Sequence, residues 1–203
     1  MRRLQDLSRG THAGVVTALA AAMLSLGAAP RDPERTPPSD YRFTADHRLE
    51  FPVDYREWIF LSAGRGMTYG ASANPNGSPL FDNVFVNPRA YREFLKNGRW
   101  PDRTVFVLET RKAATEGSIN KGGQFQKEVV GIEVEIKDRR LQETEGWGFF
   151  EFDGDRKPAR QVAKGASCYT CHAAHGAVEQ TFVQFYPTLI PVAMKHATFK
   201  PQP

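Results

Sequence analysis

Residues 129–137 read Val-Val-Gly-Ile-Glu-Val-Glu-Ile-Lys, and this nine-residue alternation decides the fold. In an extended chain successive side chains point to opposite faces. Val130, Ile132, Val134 and Ile136 therefore share one face, and Glu133, Glu135 and Lys137 share the other. Alternating Glu and Lys is what the solvated face of a half-buried strand carries. Two further segments have strand composition: TVFVLET (residues 104–110), rich in β-branched and aromatic side chains, and WGFFEF (residues 147–152), which ends at the Asp153-Gly154 turn signal. No crossover helix fits between the last two segments, so antiparallel pairing follows. Residues 84–86 (VFV) offer another short strand.

Helical signals lie upstream. Asn87-Pro88 supplies an N-cap residue and a proline for the first helical position, Tyr91, Phe94 and Leu95 line one side, and Asn97-Gly98 closes the element. Pro52 and Asp54 predict a second helix, with Tyr55, Trp58, Ile59 and Ser62 at spacings of three and four and Gly64 and Gly66 as stops. A Gly/Asn/Pro/Ser-rich loop follows over residues 66–79. The C-terminal fifth reads as helical or irregular. Together these elements predict an α+β fold: a mainly antiparallel β-sheet with flanking helices, in a single domain over residues 51–203.

The N-terminus has a different character. Arg2, Arg3 and Arg9 precede an apolar stretch of sixteen residues, 14–29, which ends in small side chains at Ser25, Gly27, Ala28 and Ala29. That is the layout of a secretory signal peptide, and it falls short of the roughly 20 residues that span a bilayer. Residues 1–29 are therefore expected to be removed on export to the periplasm or beyond, leaving no membrane span. Residues 30–50, with four prolines and many charges, read as an extended polar leader. The 203-residue chain carries a formal charge of +4, but without residues 1–29 it keeps 24 basic against 22 acidic residues. No basic cluster follows the signal, so a nucleic-acid partner has no electrostatic footprint.

The chain has two cysteines, and they stand in Cys168-Tyr-Thr-Cys171-His172. Thiols at this spacing can each form a thioether to a haem vinyl group, and the following histidine is then placed to bind the iron. Export before attachment, which this chemistry requires, agrees with the signal peptide. Other readings of the same residues are weaker. A disulfide between Cys168 and Cys171 would close a very small loop and stabilise little. A thioredoxin-like redox pair belongs beside a βαβ pattern that is missing here. Zinc would have to use adjacent Cys171 and His172, with His175 or His196 to complete a tetrahedron. One covalent haem c with His172 as its metal ligand is the favoured reading. Met67 and Met194 are the methionines left as candidates for a sixth ligand; neither sits in a ligand motif, so the sixth position is expected to be open or apolar-capped. Surface roles suit the remaining histidines, His47 and His196 near the ends and His175 one turn past the ligand.

The order of motifs carries a resemblance. Asp54-Tyr-Arg-Glu-Trp58 is followed by NVFVNP (residues 83–88) and a tyrosine-containing helix, then TVFVLE (residues 104–109), Lys137-Asp138 and WGFF (residues 147–150). Cys-x-x-Cys-His comes next, then FVQFYP (residues 182–187). From about Asp54 to Leu189 this resembles the cytochrome P-460 family, which includes the cytochromes c′-beta. The resemblance implies a mainly antiparallel β fold, a five-coordinate c-type haem and a homodimer. Hydroxylamine-oxidising members have a strand lysine joined to the haem edge; the best register puts Leu108 there, with Lys112 four residues on. They also have a distal carboxylate, for which Glu133 fits best, although its strand pattern equally suits a solvated face. Members of the c′-beta type use an aromatic distal cap, for which Phe81 and Phe85, with Leu108, are the candidates. An apolar cap suits nitric oxide or a similar small diatomic ligand. Three functions follow, in order of preference: a periplasmic gas-binding monohaem cytochrome, a hydroxylamine-oxidising enzyme passing electrons to a redox partner cytochrome, and a simple electron carrier with Met67 ligating.

Overall fold

Five strands pair in chain order into one antiparallel meander, β1-β2-β3-β4-β5. They are β1 (Ile59–Arg65), β2 (Leu80–Val86), β3 (Thr104–Ala114), β4 (Phe125–Lys137) and β5 (Trp147–Phe152). Among the described residues three α-helices accompany them: α1 (Pro88–Asn97), α2 (Ser167–His175) and α3 (Ile190–Lys195). The computed structural model describes residues 41–68 and 79–201; the expected signal peptide lies outside the described residues. The α+β fold and antiparallel sheet are as the sequence predicts, and β5 has the predicted bounds.

The sheet is packed on both faces. One face holds Tyr55, Val105, Val107, Ile132, Val134 and Ile136, joined by Leu49 and Tyr41. The other holds Phe94, Trp100, Phe106, Trp147 and C-terminal residues such as Val183 and Leu189. This two-sided cover corrects the reading of β4: Ile132, Val134 and Ile136 are buried as expected, but Glu135 and Lys137 on the opposite face are largely covered too. Val130 departs from the pattern in the other sense and is 47% exposed.

Two further expectations are corrected. Residues 41–50 are part of the packed body, because Leu49 is fully buried, exchanges two backbone hydrogen bonds with Ala159, and Tyr41 donates to buried Asp138 at 2.6 Å. The helix expected from Asp54 is a single 3-10 turn, Tyr55–Glu57, and Ile59 begins a strand. Periodicity does not separate a short apolar run in a helix from one in a strand. Here β2 supplies a partner, with Ile59 opposite Val86 and Phe60 opposite Phe85.

Helix α1 begins and ends as its sequence directs, with a difference at Asn87. The Asn87 side chain makes no cap bond; it donates to the Arg103 carbonyl at 3.2 Å and accepts from the Val105 amide at 3.0 Å, tying the helix start to β3. Gly98 ends the helix at φ +64°, and a Cβ there would lie 2.6 Å from His196 Cβ. Conformation and crowding both require glycine.

Candidate functional site

The pleat of the sheet decides which side chains meet. Val84, Leu108, Glu133 and Glu151 stand opposite one another across β2 to β5, and Phe106, Glu135 and Phe149 form the adjacent row. Both rows line a cavity of about 1900 Å³ on the face away from Val105 and Ile132. Asp82 and Thr110 lie beyond them, and Met67 borders the cavity from the end of β1 with its sulfur against Gly64. The opposite wall comes from the C-terminal segment, where Cys168, Cys171 and His172 project from α2.

Cys168, Cys171 and His172 share one helix face because they are spaced three and four residues apart. Both thiols are unpaired. Helix α2 has no fully buried residue. It is fixed by its aromatic contacts: Tyr169 against Phe149 at 4.8 Å, and the His172 ring between Phe149 at 4.6 Å and Phe182 at 4.3 Å. Gln161 donates to the Tyr169 hydroxyl at 2.9 Å, and Gln184 donates to the His175 carbonyl at 2.8 Å.

His172 is held through one nitrogen. Nδ1 is 2.7 Å from the Gln180 carbonyl and 3.4 Å from Glu135 Oε1. A carbonyl only accepts, so Nδ1 carries a proton, and in the neutral ring Nε2 keeps its lone pair. Burial pulls the His172 pKa down, but Glu135, the Gln180 carbonyl and Glu133 outweigh it and the net shift is upward.

The carboxylates line one cavity but differ in exposure: Glu133 and Glu151 are exposed, Asp82 is half-buried and Glu135 is largely covered. Desolvation raises the pKa of Glu133, and the like charges of Glu151 and Asp82 raise it further. Asp82 is raised by burial, against a 3.1 Å hydrogen bond from Thr110. Glu135 is raised by burial, with His172 opposing. The Cys168 thiol is pushed up by burial and then by Glu133 and Glu151, which keeps it protonated. No lysine or arginine is among the described residues of the cavity wall.

The sequence-derived candidates separate cleanly. Leu108 and Glu133 meet Cys168, Cys171 and His172 at the cavity. Phe81 and Phe85 do not: alternation in β2 gives Leu80, Asp82 and Val84 to the cavity, and Phe85 packs on Tyr55 and Phe60 across the sheet. This corrects the expected aromatic cap. Lys112 is exposed and lies outside the wall. Asp82, Glu151 and Gln180 were not read as site residues, and Phe149 was read only within the WGFF strand segment; only the sheet register reveals Asp82 and Glu151. Glu135 was legible as a strand-mate of Glu133, but its alternation pointed to solvent.

These residues fit a covalently held haem. Two free thiols and an imidazole with its outer nitrogen engaged face one large cavity, below a helix that the protein itself does not bury. Buried Oε1 atoms of Glu135, Gln180 and Gln184 have no hydrogen-bond partner. Among the described residues no three His, Cys, Asp or Glu side chains converge as a cage for a bare metal ion.

Comparison with known proteins agrees. No curated protein matches the sequence significantly. A family model described as Cytochrome P460 matches residues 52–183, from the 3-10 turn through all five strands to the segment beyond Cys168-x-x-Cys171-His172. A match across most of the chain, on a fold that brings its Cys-x-x-Cys-His into one cavity, places this chain in the cytochrome P460 family of haem-containing cytochromes.

Proposed function

We propose that this protein is an exported monohaem c-type cytochrome that binds a small uncharged ligand, such as nitric oxide. Thioethers to Cys168 and Cys171 and the Nε2 of His172 would hold the haem, which supplies a redox-active iron with a position for a ligand opposite the imidazole. The observation that carries the reading is the state of His172. Its Nδ1 is fixed by Gln180, which orients the ring and leaves Nε2 as the donor.

The wall supports an uncharged ligand. Asp82, Glu133, Glu135 and Glu151 face the cavity without lysine or arginine among its described residues, so anions meet repulsion there. Leu108 is aliphatic and cannot form a bond to a haem edge. The loop residues 69–78 contain no lysine either. The N-terminal signal pattern supports export, which covalent attachment requires.

Titration of the reduced protein with nitric oxide, followed by visible spectroscopy, tests this. A saturable spectral change at about one ligand per chain is expected, with azide and cyanide binding weakly to the oxidised form. A spectrum of a six-coordinate, low-spin iron that nitric oxide leaves unchanged would refute it.

A second reading rests on Glu133. A carboxylate of raised pKa at the cavity, beside Glu151 and Asp82, is suited to take protons during oxidation of hydroxylamine, with electrons leaving to an acceptor cytochrome. Turnover of hydroxylamine with an artificial electron acceptor, lost in Glu133→Gln, would favour it; no turnover would end it.

A further inference from the structure

We propose that Glu135 is a positioning residue for His172, one that makes the imidazole a stronger donor through Nε2 than a backbone carbonyl alone would. The inference rests on the reading that His172 is the axial ligand.

The geometry is built from one strand. Glu135 reaches His172 from β4, its side chain 11% exposed and its Oε1 3.4 Å from Nδ1. That oxygen has no hydrogen-bond partner, although it is buried. A buried acceptor is costly to leave unpaired, so its position beside an N–H needs a reason. The proton on Nδ1 already goes to Gln180 at 2.7 Å. Glu135 is thus a second acceptor beside the same N–H, close enough to share it after a small tilt of the ring.

The same strand fixes the first acceptor. Residues 178–181 form a tight turn, with Val178 and Thr181 exchanging backbone hydrogen bonds at 3.3 and 3.0 Å and Glu179 at φ +54°. A non-glycine residue persists in that conformation only where its surroundings hold it. Lys137, two residues along β4 from Glu135, binds Glu179 at 2.6 Å and the Trp100 carbonyl at 2.8 Å. Trp100 donates to Thr181 at 2.8 Å. β4 therefore supplies the carboxylate beside Nδ1 and the lysine that holds the turn presenting the carbonyl.

The rings of Phe149 and Phe182 flank the imidazole and leave its side chain 20% exposed, and charge effects are stronger in such partly desolvated surroundings than in water. An acceptor on the outer nitrogen raises the basicity of a metal-bound histidine, and a carboxylate does so more than a carbonyl. A more basic axial ligand stabilises the oxidised iron.

The test uses the haem-loaded protein. Resonance Raman of the reduced form reads the iron–histidine stretch, and a redox titration reads the potential. Glu135→Gln should lower the stretching frequency and move the oxidised-to-reduced ratio at fixed poise about tenfold toward reduced, which is about 59 mV for a one-electron couple. Glu128→Gln, at an exposed carboxylate on the same strand outside the cavity wall, should leave the frequency unchanged. An unaltered frequency and potential in Glu135→Gln would overturn the proposal, and so would an equal frequency change in Glu128→Gln. If Glu135→Gln gives no haem-loaded protein, Glu135→Asp is read instead: withdrawing the carboxylate by one methylene should lower the frequency, and no change overturns the proposal. A parent protein with haem but no iron–histidine band would refute His172 ligation itself, a separate failure.

Discussion

Leu108 on β3 stands directly opposite Glu133 on β4, and both side chains reach the same cavity as Cys168 and Cys171. On the register that the family resemblance suggests, Leu108 is an aliphatic group at the cross-linking position, and it stands next to a carboxylate whose pKa is raised. Digestion of the haem-loaded protein should therefore release haem attached to a single peptide, the one containing residues 168–172. A second peptide from β3 on the same haem would contradict this register.

Gly176 is confined by the turn that orients His172. A Cβ at this position would lie 2.6 Å from the Glu179 carbonyl oxygen and 2.7 Å from that of His172, both backbone atoms that cannot swing aside. Gly176→Ala should destabilise the haem-loaded protein by about 1–3 kcal/mol, the usual range for overpacking. Gly154→Ala, where a Cβ meets nothing within 4 Å, should stay within about 0.5 kcal/mol. Denaturant unfolding of both variants checks the pair; equal stabilities would contradict it.

The strands were legible wherever the sequence alternates or concentrates β-branched residues, as in residues 104–110, 129–137 and 147–152. β1 was not, because Tyr55 and Trp58 placed a helical spacing just before Ile59-Phe60-Leu61, and only pairing with β2 reveals the strand. The Cys168, Cys171 and His172 triad was legible because its spacing is local: three residues on neighbouring turns of one helix. The rest of the site is assembled by register. Glu151 and Asp82 join Glu133 only through cross-strand pairing, and Phe85 leaves the site because a strand reverses its side chains at every residue. The covering of the Glu133 face by the C-terminal segment also has no local signal.

Phe85 tests that reversal. Its ring packs 5.6 Å from Tyr55 on the face away from the cavity. Phe85→Ala should cost about 1–3 kcal/mol, below the range for a fully buried phenylalanine, and leave nitric oxide affinity unchanged within a factor of two. Unfolding curves and a ligand titration on the same sample separate the effects. A large affinity change with little loss of stability would return Phe85 to the ligand site.

Asp138 governs the acid limb of stability. Burial pushes its carboxyl up, but hydrogen bonds from Arg140 and Tyr41 outweigh it and hold the pKa at about 2, against an ordinary 3.8. A depressed folded pKa means the ionised group stabilises the fold above its ordinary value, and that contribution fades as the pH falls from about 4 through about 2. Asp138→Asn should therefore lower stability at pH 7 by about 1.5–3 kcal/mol, with the difference shrinking toward zero near pH 2. Unfolding free energies measured from pH 2 to pH 7 check the sign; a difference that grows toward acid would contradict it.

The central claim is that Cys168, Cys171 and His172 hold one haem covalently at this cavity. Intact mass under denaturing conditions, on protein exported from a host that matures c-type cytochromes, tests it most directly. The account predicts one haem increment per chain, retained on unfolding and absent when both cysteines are replaced by serine. A bare polypeptide mass, with both thiols open to alkylation, would contradict it.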